Sequence, residues 1–297
     1  MLIEIAFVQC VLAAVVYLIT AVLLFFIVKL KSVKQLWKDS PPLLMLFLST
    51  FILAVDHFKT ATVWILVLAD VVSYPMGRVY TRIDQIASFW SKWFYDAATI
   101  GIFSHRMALL VYPSRAMLHR KLALFIVFAE TVVPFLMVGV FQGLNLMNMV
   151  RTAGPNGLGQ QGCYTLNCVF QNPKDHLLSK WLQLIMSVQI IIVGALCQIM
   201  IQKYSRLLQS TFNKNINRFT RYVFCFRILL EMVPYTADIL LIFLGNQSVA
   251  LYIGDYILVG GSIDMLLCTM VYLKIAKKNA VNSINSNTRH AFTSSKY

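Results

Sequence analysis

Charge is scarce in this 297-residue sequence. Only 13% of positions are Asp, Glu, Lys or Arg, against roughly a quarter in an ordinary globular domain. Hydrophobic residues make up 59% of the chain and the mean hydropathy is +0.70. So few polar side chains cannot cover a water-facing surface, so lipid must solvate much of this protein. Catalytic signatures are missing too. The five histidines show no HExxH, there is no Gly-rich phosphate loop and no GxSxG. No enzyme activity, cofactor or metal is therefore expected. Cys10, Cys197, Cys225 and Cys268 fall in apolar runs, where thiols pack as small hydrophobes. That leaves neither a metal framework nor a disulfide-dense scaffold. The last apolar run has no lysine before Lys274, so a retinal Schiff base has no natural site. Internal repeats of the kind common in transporters are absent. Residues 1–4 lack a basic n-region, so the first run reads as an uncleaved signal-anchor.

What is present is a succession of apolar runs. Seven spans are expected, at residues 5–28, 43–66, 86–111, 122–141, 181–201, 222–244 and 249–273. Pro41 and Pro42 open the second, where a missing N–H costs nothing. It is the weakest span, because it holds Asp56, His57 and Lys59. The tail, 274–297, is Asn/Ser-rich and expected to be disordered. The fold class is thus an all-α seven-transmembrane helix bundle. The net charge of +14 would suggest nucleic acid in a soluble chain, but here topology explains it. With the N-terminus outside, the four cytoplasmic segments hold 18 Lys and Arg and the outer segments hold 5. That asymmetry favours an outside N-terminus and a cytoplasmic C-terminus. No nucleic-acid partner is expected.

Ionisable residues inside spans are costly and mark function by default. Asp56 lies mid-span, and Asp264 in the seventh span is placed to meet it. A conformational switch, a shared proton or ion, and plain burial remain open for this pair. Lys59 and Lys92 lie near span ends and are expected to snorkel to the interface. Arg227 and Glu231 stand at i, i+4 on one helical face, and Pro234 should kink the helix just beyond them. The pair marks either a moving element or static packing. Phe89, Trp93 and Asp96 share a face of the third span. Tyr235, Asp238, Tyr252 and Tyr256 lie at similar depth, so these side chains could line a pocket for a small organic ligand, polar or cationic. Trp93 fits an interfacial aromatic belt equally well. Cys163 and Cys168 alone sit in a polar segment; on the outer side a local disulfide between them is sensible.

The plan of seven spans with short termini resembles that of the nematode serpentine chemoreceptors, a divergent branch of the rhodopsin-like G-protein-coupled receptors. The resemblance runs through Ser104-His105-Arg106-Met107 and Tyr112-Pro113 at the inner end of the third span. Asp56 in the second span and Pro234 in the sixth also match. The loop from Cys163 to Cys168, with Asp264 and Tyr272, is most similar to the class bc group. Departures are plain. His105 replaces the acid before the arginine, Met232 stands where a tryptophan is usual, and no Asn-Pro-x-x-Tyr occurs in the seventh span. No cysteine falls between Cys10 and Cys163, so the usual third-span disulfide is impossible. The resemblance implies a plasma-membrane receptor, in sensory cilia, that binds a small molecule and engages a heterotrimeric G protein. Asp56, His105, Arg106, Arg227, Glu231, Pro234 and Asp264 would form its switch and G-protein face. The competing expectations are a seven-span ligand-gated channel, which in the insect odorant receptors runs with the N-terminus inside, and a transporter.

Orientation is directly testable. An epitope tag placed before Met1 should stain on intact cells; staining that requires permeabilisation would overturn the basic-residue argument.

Overall fold

A computed structural model describes residues 2–30, 32–112, 116–152, 173–204, 211–245 and 258–275. They are almost entirely helical, and no strand occurs among the described residues. Lipid offers no hydrogen-bond partner, so each spanning segment must pair its backbone internally, as a helix does. Helix α1 covers Leu2–Leu30, α2 Val33–Asp39, α3 Pro41–Leu68, α4 Tyr74–Val111 and α5 Ala116–Thr152. After the next described break come α6, Pro173–Tyr204, and α7, Thr211–Phe226. A π-helical turn, Arg227–Met232, leads directly into α8, Val233–Gly245. The last described helix, α9, is Leu258–Ile275.

Five of these helices hold segments long and apolar enough to cross a membrane: Glu4–Leu30, Pro41–Leu68, Met117–Val140, Gln183–Tyr204 and Leu258–Ile275. The surface confirms which solvent they meet. Phe125 is 66% exposed and Phe135 69%, while Asp96, Arg227 and Asp264 are at most 2% exposed. Apolar groups outward and charges inward is the arrangement of a protein dissolved in lipid, and the chain is a membrane protein.

Local signals explain the helix ends. Ser32 accepts the Gln35 N–H at 3.3 Å and starts α2. This short helix lies in a stretch that reads as a loop; buried Leu36 anchors it, while Lys34 and Lys38 face out. Pro41 and Pro42 then occupy the first turn of α3. After α3, Asp70 takes a φ of 57°, a left-handed conformation that Asp tolerates in a turn. Helix α4 starts at Tyr74, about three turns before the expected residue 86, so the polar stretch ahead of it is helical as well.

Helix α4 is the centre of the bundle. It packs on α3, α5 and α6 and touches α7, while α1 packs on α3. A continuous core of Tyr17, Phe47, Tyr95, Phe103, Phe219 and Tyr272 joins α1, α3, α4, α7 and α9. At the π turn the Val233 N–H bonds to the Ile228 carbonyl, five residues back. Pro234 has no N–H to offer Leu230, the carbonyl four residues before it. Gly260 of α9 packs directly there, and a Cβ at this position would stand 2.6 Å from the Leu230 oxygen. Both contacting groups are backbone, so a side chain cannot be accommodated by rotamer change.

Gly260→Ala should therefore destabilise the folded protein by about 1–3 kcal/mol, the usual range for overpacking. A lower thermal unfolding midpoint in detergent checks this; an unchanged midpoint would mean that α9 gives way freely.

Candidate functional site

The buried charges meet around one side chain. Arg227 begins the π turn and is 2% exposed. Its Nη2 donates to Asp96 Oδ1 at 2.8 Å and to Thr99 Oγ1 at 3.0 Å, both on α4. Its Nη1 pairs with Glu231, one turn along its own helix. The guanidinium carbon lies 4.0 Å from the centroid of the Tyr95 ring, in cation–π geometry. Asp264 of α9 approaches from a third side, with Oδ2 at 3.7 Å from Arg227 Nε. Lys92 completes the cluster: its Nζ is 3.0 Å from Asp96 Oδ1 and also pairs with Glu231. Tyr95 donates its hydroxyl to Asp264 Oδ2 at 3.1 Å, and the Cys268 thiol lies 3.7 Å from Asp264 Oδ1.

Helical spacing explains the assembly. Lys92, Tyr95, Asp96 and Thr99 fall at i, i+3, i+4 and i+7, one face of α4. Arg227 and Glu231 stand at i, i+4, and the wider π turn sets both against that face. Such a cluster ties three helices together by charge-assisted bonds in a medium of low dielectric, where charged groups must be paired.

A second cluster lies between α3 and the start of α4. Asp56 accepts from Ser88 at 2.8 Å and Ser91 at 3.3 Å, and Lys59 is 3.1 Å away. Lys59 also pairs with buried Asp84, which accepts a hydrogen bond from Thr60. Beside it, Tyr17 donates to the Leu258 carbonyl at 3.1 Å, which leaves His57 Nδ1 as the donor to the Tyr17 oxygen at 3.0 Å. These bonds connect α1, α3 and α9.

The sequence expectations sort as follows. Arg227 and Glu231 do pair, with Pro234 just past them. Asp96, assigned to a ligand pocket, is paired within the same cluster. Asp56 and Asp264 do not share partners: one bonds to Lys59 and serines, the other to Tyr95, Arg227 and Cys268. Lys92 is not a snorkelling residue, because two carboxylates hold its ammonium inside the bundle. Lys59 is half exposed yet also paired twice. Trp93 and Tyr235 are buried and Phe89 is half-buried. Buried Trp93 lies inside the bundle rather than in a lipid-facing belt. The Asp238 side chain, Tyr252, Tyr256, Cys163 and Cys168 fall outside the described residues. Sequence reasoning missed Lys92, Tyr95, Thr99, Asp84 and the Ser88–Ser91 pair. The i, i+4 spacing of Lys92 and Asp96 was the available signal for the first.

A narrow cavity of about 10 Å³ lies beside the Arg227 cluster, lined by Thr50, Tyr95, Phe219, Val223, Cys268 and Thr269 among others. Its volume is close to the least that admits one water. Towards the far end of α4, His105 and Arg106 are both buried. The neighbouring α5 carries Glu130, buried with both carboxyl oxygens free of hydrogen bonds among the described residues. It fits where Gly101 leaves space, since a Cβ there would sit 1.5 Å from its Oε1.

No family model matches this chain, and no characterised protein sequence matches it significantly.

Removing Arg227 takes from Asp264 its one cation among the described residues and leaves Asp96 and Glu231 to share Lys92. Arg227→Ala should destabilise the fold by about 3–5 kcal/mol, as breaking a buried ion pair does. Thermal unfolding in detergent measures it; a loss under about 1 kcal/mol, as for an exposed pair, would show that the cluster is not a structural tie.

Proposed function

We propose that this chain is a seven-span chemosensory receptor of the plasma membrane, with its N-terminus outside and its C-terminus in the cytoplasm. A small organic ligand enters the outer half of the bundle, and a heterotrimeric G protein engages the cytoplasmic face. The observation that carries the reading is the Arg227 cluster: it joins α4, the π turn and α9 just before a proline. A π turn and a proline weaken one stretch of helix, and a ligand that favoured a second packing of it would shift the balance.

The same cluster supports a count of seven spans. Five helices qualify on apolar composition. The two remaining long helical stretches, α4 and the run from α7 through α8, carry Lys92, Asp96, Arg227 and Glu231. These charges neutralise one another across the interface, so both stretches can enter lipid together although neither would do so readily alone. Lys214, Arg218 and Arg221 are exposed along α7, a basic stripe suited to an acidic partner. Phe89, Trp93 and Asp96, on one face of α4, and Tyr235 of α8 are the described part of the ligand region. Asp238, Tyr252 and Tyr256 are assigned to it from sequence position. His105, Arg106 and Pro234 are assigned to the switch. Sensory cilia are the compartment that the family resemblance implies.

Buried charge also favours a second reading, a ligand-gated channel or transporter, because ion pathways use the same residue types. Expression with a calcium or cyclic-nucleotide reporter and a chemical screen separates the two. Ligand-evoked responses that vanish when G proteins are blocked are expected. Ionic currents that persist under that block would replace the receptor with the channel.

A further inference from the structure

Among the described residues, the Arg227 cluster does not balance its own charge. Three carboxylates, Asp96, Glu231 and Asp264, face two cations, Lys92 and Arg227, and all five sit inside the bundle. A surplus negative charge in low dielectric is expensive and must be neutralised. A metal ion is a poor candidate, since no group of three or more His, Cys, Asp or Glu among the described residues is arranged to hold one. We propose that the surplus is met by one exchangeable proton, held on Asp264.

Geometry selects Asp264 among the three. Asp96 touches both cations, at 3.0 and 2.8 Å, and Glu231 pairs with both. Among the described residues, the one cation that Asp264 meets is the Arg227 Nε, at 3.7 Å, beyond hydrogen-bond reach. Its close partners are the Tyr95 hydroxyl and the Cys268 thiol. Each of these can donate to a carboxylate or accept from a carboxylic acid, so both protonation states are served. The remaining charged and titratable groups near Asp264 belong to the cluster itself. On the α1 and α3 side, the Tyr17 hydroxyl is occupied by His57 and the Leu258 carbonyl, and Asp56 by Lys59 and two serines.

The narrow cavity is lined by Tyr95 and Cys268, the two groups that hold Asp264, together with Thr50 and Thr269 among others. Exchange of the proton with solvent would run through this cavity. Loss of the proton sets an unbalanced charge between α4, the π turn and α9, the elements whose packing the cluster fixes. Proton occupancy thereby biases how α9 sits against the π turn, independently of which ligand the protein binds.

The test uses the full-length protein in lipid nanodiscs, with infrared difference spectra and thermal unfolding recorded against pH. Buried Glu130 has a carboxyl without partners and supplies an acid signal of its own, so all variants are made with Glu130→Gln. The parent should show one protonated-carboxyl stretch at neutral pH, and its unfolding midpoint should fall as pH rises. The sign follows from linkage: the folded state binds one more proton than the unfolded state, so alkali favours unfolding. Asp264→Asn should abolish both the band and this slope. Glu231→Gln is the decisive second variant, because it balances the cluster without a proton. There the band should also be lost although Asp264 remains. A band that survives either substitution overturns the proposal. So does a parent with no acid band whose unfolding midpoint rises with sodium but not with a large organic cation.

Discussion

The structure depends on the Arg227 guanidinium being surrounded. In water its charge would be solvated on all sides; inside the bundle only protein can do this. Asp96 and Thr99 come from α4, Glu231 from the same π turn, Asp264 from α9, and the Tyr95 ring covers a face of the plane. Five groups from three elements surround a planar fork that lysine could not fill in the same way, although Asp264 stands beyond hydrogen-bond distance of the Nε. Asp96 and Glu231 share Lys92 as a second cation, whereas Asp264 has Arg227 alone among the described residues. The tie holds the three elements in one arrangement.

The backbone is fitted to this tie. A π turn is uncommon and has a wider radius than an α-helix, and here it spans the residues from Arg227 to Met232. Pro234 follows it, and Gly260 lets the backbone of α9 approach the Leu230 carbonyl. A side chain at Gly260 would separate α9 from the turn and pull Asp264, one helical turn further along, away from Arg227. Tyr17 adds a separate restraint from α1 by bonding the Leu258 carbonyl at the start of the same helix. The charge tie and the close backbone approach thus reinforce one another along α9.

Much of the architecture was legible in apolar composition. A run such as 5–28 has no charge and must be a lipid-spanning helix, because nothing else satisfies its backbone. The Arg227–Glu231 pair was legible as well, since both residues lie on one helix and i, i+4 spacing is a local property. Other features were obscured for a physical reason. Lys92 looks like an interfacial residue if α4 is considered alone, and Asp96 looks like a ligand contact. Their partners lie 139 and 131 residues away in sequence, and no periodicity within α4 encodes that separation. The helical start of α4 at Tyr74 was hidden by the polarity of its first turns, which apolar periodicity does not detect.

From the chain alone follow its solvent and its helical class, because hydropathy and helical periodicity are local quantities. Which charges neutralise which is a different matter. The alternative pairing of Asp56 with Asp264 was equally consistent with sequence, and it was the rotation of α4 between its neighbours that separated them. That rotation places Lys92, Tyr95, Asp96 and Thr99 towards Arg227 and Ser88 and Ser91 towards Asp56. It is set by the packing of whole helices, in which every side chain on every face contributes, and so it exists only once the bundle has formed.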